Sequence, residues 1–163
     1  LIMKKCNTEI MKDIKKLEEI KENLRANESQ NCTVTYLQKE TPIDTGYDYK
    51  KTSEELKKCD QEIRRLKTIL ANVNATVIVE GFDMTINEAL IYLAQLNEDL
   101  KRLNNLITIN PLSRRSSYEG VPEFTKITFN REEVKNDYET VRNLIPKLQM
   151  ASDRTNLTQF TEC

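Results

Sequence analysis

Histidine and tryptophan are both absent from this 163-residue chain. Without histidine a Ser-His-Asp triad, a Cys-His pair and any histidine-containing metal site are excluded, and much of enzymology goes with them. Glycine is scarce, with three residues. Gly46, Gly81 and Gly120 stand alone, so no glycine-rich loop is present to cradle a nucleotide phosphate. The four cysteines, Cys6, Cys32, Cys59 and Cys163, include no C-x-x-C spacing, which argues against zinc. A charge excess of either sign is also missing: 25 basic residues face 26 acidic ones, and no general attraction to nucleic acid or to an anionic membrane follows. The apolar runs, such as Val77-Ile78-Val79, are all short, far below the roughly 18 residues needed to span a bilayer. Leu1-Ile2-Met3 lacks the apolar core of a signal peptide, and Leu1 and Ile2 are expected to precede a start at Met3. A cytoplasmic chain without membrane or nucleic-acid partner is expected.

What the chain does have is charge and helical rhythm. Charged residues make up 31% and hydrophobic ones 38%, against the roughly 25% and 45–50% usual in globular chains, which favours long solvent-exposed helices over a thick core. Four segments repeat apolar residues at alternating three- and four-residue steps, the pattern that puts one stripe along a helix. The first runs through Met3, Cys6, Ile10, Leu17, Ile20 and Leu24. The second runs through Tyr49, Thr52, Leu56, Cys59, Ile63, Leu66, Leu70 and Val73. The third comprises Ile86, Ala89, Leu93, Leu96, Leu100, Leu103 and Ile107, and the fourth Val134, Tyr138, Val141, Ile145 and Leu148. Cys6 and Cys59 fall on stripes, where a thiol behaves as a small hydrophobe, whereas Cys32 and Cys163 are expected at the surface.

Helix boundaries follow from capping chemistry. Thr85-Ile86-Asn87-Glu88 is a capping box, and Asn130-Arg131-Glu132-Glu133 offers an amide cap followed by carboxylates that suit a helix dipole. Pro146 should kink the fourth helix or end it near Ile145. The expected helices are therefore near 3–26, 49–73, 85–108 and 131–150. Connections of about 20 residues contain three β-prone runs, Thr33–Leu37, Thr76–Val79 and Lys126–Phe129, expected to pair as one small sheet. The fold class is mainly α: a four-helix bundle-like single domain with a long antiparallel helical hairpin and a small β element in the connections.

Several of these residues resemble a known family. Asn72-Val73-Asn74-Ala75-Thr76 after the second helix, Gly81-Phe82-Asp83-Met84-Thr85-Ile86-Asn87-Glu88-Ala89-Leu90 opening the third, the Ser113-Arg114-Arg115-Ser116-Ser117-Tyr118-Glu119 loop, and Lys147-Leu148-Gln149 with Asn156 follow the order of a bacterial family of helical proteins sometimes labelled septicolysin. Typical members carry Ile-Asn-x-Thr-Asn, Gly-x-Thr-Leu-Thr-Glu-Ala-Leu and Arg-Tyr-Ser-Arg-Ser-Glu at these places. They also carry a tryptophan near the end, where this chain has the segment around Asp153-Arg154-Thr155-Asn156. The resemblance implies a cytoplasmic bacterial protein with an all-helical body and brings no activity with it. A pore-forming role, which the label implies, lacks both a membrane-length segment and strands long enough for a barrel.

Candidate chemistry is sparse. Arg114, Arg115 and Ser116 sit in a loop where guanidiniums and a hydroxyl can fork onto a phosphate or carboxylate, and Arg154 would join them if the C-terminal segment folds back. A solvated loop pairing with Glu119 and Glu123 is the plainer alternative. Carboxylate pairs such as Glu18/Glu22 and Glu132/Glu133 lie on charged helix faces, not in a pocket that would shift a pKa. No catalytic residue, metal site or cofactor is expected. Leu56, Ile63, Leu70, Leu96 and Leu103 are expected in the helix core or interface, and the stripes predict a homo-oligomer built through the helices. The expected function is accordingly a non-enzymatic oligomeric assembly or adaptor protein. The alternatives are a small-anion or phosphoryl-compound binder, with or without enzymatic activity, and an extracellular glycoprotein using the sequons at Asn27, Asn31, Asn74 and Asn156.

Overall fold

The computed structural model describes residues 3–163, so the expectation for Leu1 and Ile2 lies outside the described residues. The fold is mainly helical, in the order β1 (Lys4–Cys6), α1 (Asn7–Asn31), α2 (Tyr49–Thr76), α3 (Ile86–Thr108), β2 (Leu112–Ser116), β3 (Pro122–Lys126), α4 (Arg131–Thr158) and β4 (Phe160–Glu162). The chain divides into two compact units: one holds residues up to Val77 together with Asn156–Cys163, the other Ile78–Thr155.

In the first unit α1 and α2 form the expected antiparallel hairpin. Lys21 on α1 meets Asp60 on α2, and Lys67 meets Glu18 at 2.8 Å, as an antiparallel register requires. Between them lies a core of Ile10, Ile14, Ile63 and Leu66, flanked by Leu17, Ile69, Leu70 and Cys163. Asp48 starts α2 by accepting the Lys51 N–H at 3.0 Å. At the other end α1 begins at Asn7, not near residue 3, because Lys4–Cys6 is a strand. Lys4 pairs with Glu162, Lys5 with Thr161 and Cys6 with Phe160, and the Cys6 N–H is taken by the Glu9 carboxylate at 2.9 Å. Sequence periodicity is blind to this pairing, since the two strands lie at opposite ends of the chain.

In the second unit α3 and α4 run antiparallel, with the Arg131 guanidinium donating to the Ile107 carbonyl at 2.7 Å. The capping box forms as expected: the Glu88 N–H donates to the Thr85 hydroxyl at 3.2 Å, and the Thr85 N–H to the Glu88 carboxylate at 2.6 Å. Asn130 caps α4 through the N–H groups of Glu132 and Glu133. Pro146 does not end α4, which continues to Thr158. An interior proline costs about 3 kcal/mol. Beyond it Leu148 is fully buried and Ser152 and Thr155 nearly so, and burying one leucine side chain recovers about 1.5–3 kcal/mol.

The β element differs from the single sheet expected. Two separate antiparallel pairs form, β1 with β4 and β2 with β3. Thr33–Leu37 is not a strand, and Ile78 contributes only an isolated bridge to Thr85. Strand propensity needs a partner to satisfy the backbone, and the exposed connection at 32–48 brings none to residues 33–37. β2 finds its partner locally. The Gly120 N–H donates to the Ser117 carbonyl at 3.1 Å, and Gly120 itself sits at φ +73°, the left-handed position that closes a three-residue hairpin loop.

Candidate functional site

Arg114, Arg115 and Ser116 lie on β2 and are exposed. The segment is a strand, where successive side chains project to opposite faces. Arg114 is in register with Phe124 and Arg115 with Glu123, so the two side chains leave opposite faces of the hairpin. Arg154 is not brought to them either. Arg131 holds the start of α4 beside the end of α3, from which the hairpin springs. At 1.5 Å per residue Arg154 lies about 35 Å further along α4. Of the expected core residues, Ile63, Leu96 and Leu103 are buried, while Leu56 and Leu70 are half-buried. Cys6 and Cys59 are buried, Cys32 is exposed and Cys163, expected at the surface, is half-buried beside the first unit's core; none of the four forms a disulfide.

The most enclosed polar arrangement of the first unit escapes sequence reasoning. Asn7, 1% exposed, opens α1 and donates its amide to the Asn74 side-chain oxygen on α2 at 3.1 Å and to that of Asn156 in the last turn of α4 at 3.0 Å. Its own Oδ1 is buried without a partner. Three asparagines thus tie three helix ends, and a buried amide of this kind fixes register because slippage would strand it. The available signal was an asparagine following Cys6 on an apolar stripe. The same contact engages two of the four sequon asparagines.

Ion pairs and hydrogen bonds set the remaining electrostatics. The Lys21 ammonium holds the Asp60 carboxyl below its ordinary range, and the hydrogen bond to Asp13 raises Lys5. Where the connection rejoins α2, the Tyr47 hydroxyl donates to the Glu28 carboxylate. That hydrogen bond, more than burial or the carboxylate charge, pushes the Tyr47 pKa up to about 12. A raised phenol pKa means that the fold favours the protonated form. The contact therefore contributes fully below the unfolded value near 10 and is lost as pH rises through about 12. Tyrosinate absorbance, taken as the difference between wild type and Tyr47→Phe, should titrate near 12, and Glu28→Gln should return it to about 10. A midpoint near 10 in the unaltered protein would refute the contact.

Compared with protein-family models, curated proteins and solved structures, the chain finds no match. Its own surface supplies the remaining evidence. No helix among the described residues is long and apolar enough to cross a membrane, and no group of three or more Cys, Asp or Glu side chains among them is placed to hold a metal. In the second unit a groove of about 350 Å³ lies between α3 and α4, with Tyr92, Leu96, Val141 and Leu144 among its walls. Gln95, Asp99 and Thr140 complete its lining, so apolar and polar side chains share the groove. Apolar side chains are exposed on every helix: Met11 and Ile20 on α1, Tyr49 on α2, Leu90 and Ile91 on α3, and Met150 on α4.

Proposed function

We propose that this protein is a non-enzymatic assembly or adaptor protein that works as a homo-oligomer joined through its helices. The observation that carries this reading is surface. The folded chain exposes 12548 Å². A compact protein of 19.0 kDa exposes about 8,400 Å², and two separate compact bodies of half that mass about 10,100 Å². The surplus over even the two-body figure is about 2,400 Å², well above the roughly 800 Å² that each partner buries in a standard interface. Apolar residues on all four helices make that surplus costly to leave in water. On Asn72–Thr76 and Gly81–Leu90, membership of the septicolysin-labelled family is part of the same proposal, as is a cytoplasmic setting, which four cysteines without a disulfide fit.

Native mass spectrometry of protein purified without phosphate or sulfate tests the reading, because it reports subunit number and retained ligand together. A multiple of the 19.0 kDa chain without added mass is expected at micromolar concentration. A single chain at all concentrations would overturn the assembly reading, and a stoichiometric small adduct would replace it with ligand binding.

A further inference from the structure

The β2–β3 hairpin is the part of the second unit least accounted for by its own fold. Every residue of β3 is exposed, and only Ser113 of β2 is half-buried. Leu112 is 57% and Phe124 63% exposed, with Val121 exposed at the turn. A two-stranded ribbon with neither face covered is marginal in water; a third strand or a helix against it is what ordinarily stabilises one. The hairpin also has two open edges, each a row of backbone groups able to accept another strand.

The ladder shows which groups those are. Backbone bonds run from the Ser117 N–H to the Val121 carbonyl and from the Ile127 N–H to the Pro111 carbonyl. With the register of the two strands, the alternation of an antiparallel ladder places the inward bonds at Arg115 with Glu123 and Ser113 with Thr125. Arg114 and Phe124 are then a non-bonded pair, and their N–H and C=O groups point out of the two edges. So do those of Leu112 and Ser116 on β2 and of Lys126 on β3.

The two edges differ in what a second copy would meet. Two β2 strands paired over their full length about a two-fold axis at the middle residue put Arg114 directly opposite its own copy, and like charges directly opposite are destabilising. Two β3 strands paired the same way put Phe124 opposite Phe124, a favourable aromatic pair, with Glu123 opposite Thr125 and Pro122 opposite Lys126. The backbone is compatible. Phe124 exchanges both bonds with its copy, and each Lys126 N–H donates to a Pro122 carbonyl, the one position where an N–H is missing being the proline itself. The Glu123 side chains, diagonal across the axis, each face Arg115 of their own hairpin. Pairing β2 with β3 instead would be head-to-tail and would leave fresh edges at every step, whereas the β3 pair closes.

From this self-complementarity we infer that β3 pairs antiparallel with β3 of a second copy of this chain, making a four-stranded sheet centred on Phe124. The inference rests on the homo-oligomer reading and adds to the helical contacts a strand interface whose partner and register are specified.

Phe124→Pro and Arg114→Pro separate the edges, since each removes one outward N–H and spares the ladder within the hairpin. Native mass spectrometry should show Phe124→Pro at half the wild-type assembly mass and Arg114→Pro unchanged. A cross-linking measurement keeps the test open if the proline variant misfolds. In a Cys32→Ser/Cys163→Ser background, Phe124→Cys should oxidise to a disulfide-linked dimer, because directly opposite bonded residues lie about 5.5 Å apart at Cα, within disulfide reach. Arg114→Cys should link at least tenfold more slowly. An unchanged Phe124→Pro assembly, or equal cross-linking at both positions, would overturn the strand interface while leaving helical assembly standing. A wild-type single chain would overturn both.

Discussion

Ile63→Asp unfolds the first unit. Ile63 is 8% exposed on α2 and belongs to the buried cluster that also holds Ile10, Ile14 and Leu66. The substitution forfeits about 1.5–3 kcal/mol of apolar burial. It also places a carboxylate where nothing in the cluster pairs with it, at several kcal/mol more even after relaxation. A domain holds about 5–15 kcal/mol in all, so the sum approaches its whole stability. Leu70→Asp is the comparison. Leu70 lies seven residues, about two helical turns, further along the same stripe but is half-buried at the margin of the cluster, where a carboxylate reaches water. Its cost should stay in the usual range of about 0.5–3 kcal/mol. Urea unfolding followed by circular dichroism should show Ile63→Asp without a cooperative transition and Leu70→Asp with a shifted one. Equal midpoints would mean that the core is not where the structure places it.

The second large effect belongs to Asn7. Asn7→Ala removes two hydrogen bonds, to Asn74 and Asn156, and leaves a small cavity at a nearly fully buried position. Each hydrogen bond is worth about 0.5–1.5 kcal/mol net. With the cavity, the loss should reach about 2–4 kcal/mol. Asn7→Leu restores the volume and removes the unpaired Oδ1. Asn74 and Asn156 are half-buried, so water replaces the lost donor. The leucine variant should therefore lose about half as much as the alanine variant. If leucine costs at least as much as alanine, hydrogen bonding and not packing holds these helix ends, and the orphaned oxygen is not a real cost.

The contrast between Ile63 and Leu70 shows how far a stripe can be read. Both recur at the same spacing in the sequence, and the stripe correctly puts both on the face of α2 that meets α1. Depth along that face depends on what the partner helix offers. Ile63 lies within the buried cluster of α1 and α2, while Leu70 packs against it only half-buried and Leu56 is half-buried nearer the other end of α2. Exposed apolar residues off the stripes, such as Ile91 and Met150, were equally invisible as a group, since periodicity counts only the residues that obey it.

The arginines make the same point at the candidate site. As neighbours in sequence, Arg114 and Arg115 suggested one anion clamp. The segment is a strand because Pro122–Lys126 returns alongside it through the Gly120 turn, and the pleat then sends adjacent side chains apart. The hairpin edge on which the strand interface rests has no sequence signature at all, because it depends on which backbone groups the ladder leaves unused.

The sequence by itself determined the presence of four helices, the caps at Thr85 and Asn130 and the pairing of α1 with α2, and it removed histidine chemistry. These depend on contacts three or four residues apart, on capping groups adjacent to the helix they start, and on composition. Only the tertiary structure decided that the chain ends pair as β1 and β4, that α4 continues through Pro146, that Asn7 gathers Asn74 and Asn156, and that Arg114 diverges from Arg115. Each joins groups distant along the chain or weighs local cost against remote burial, and no local spacing encodes which remote segment arrives.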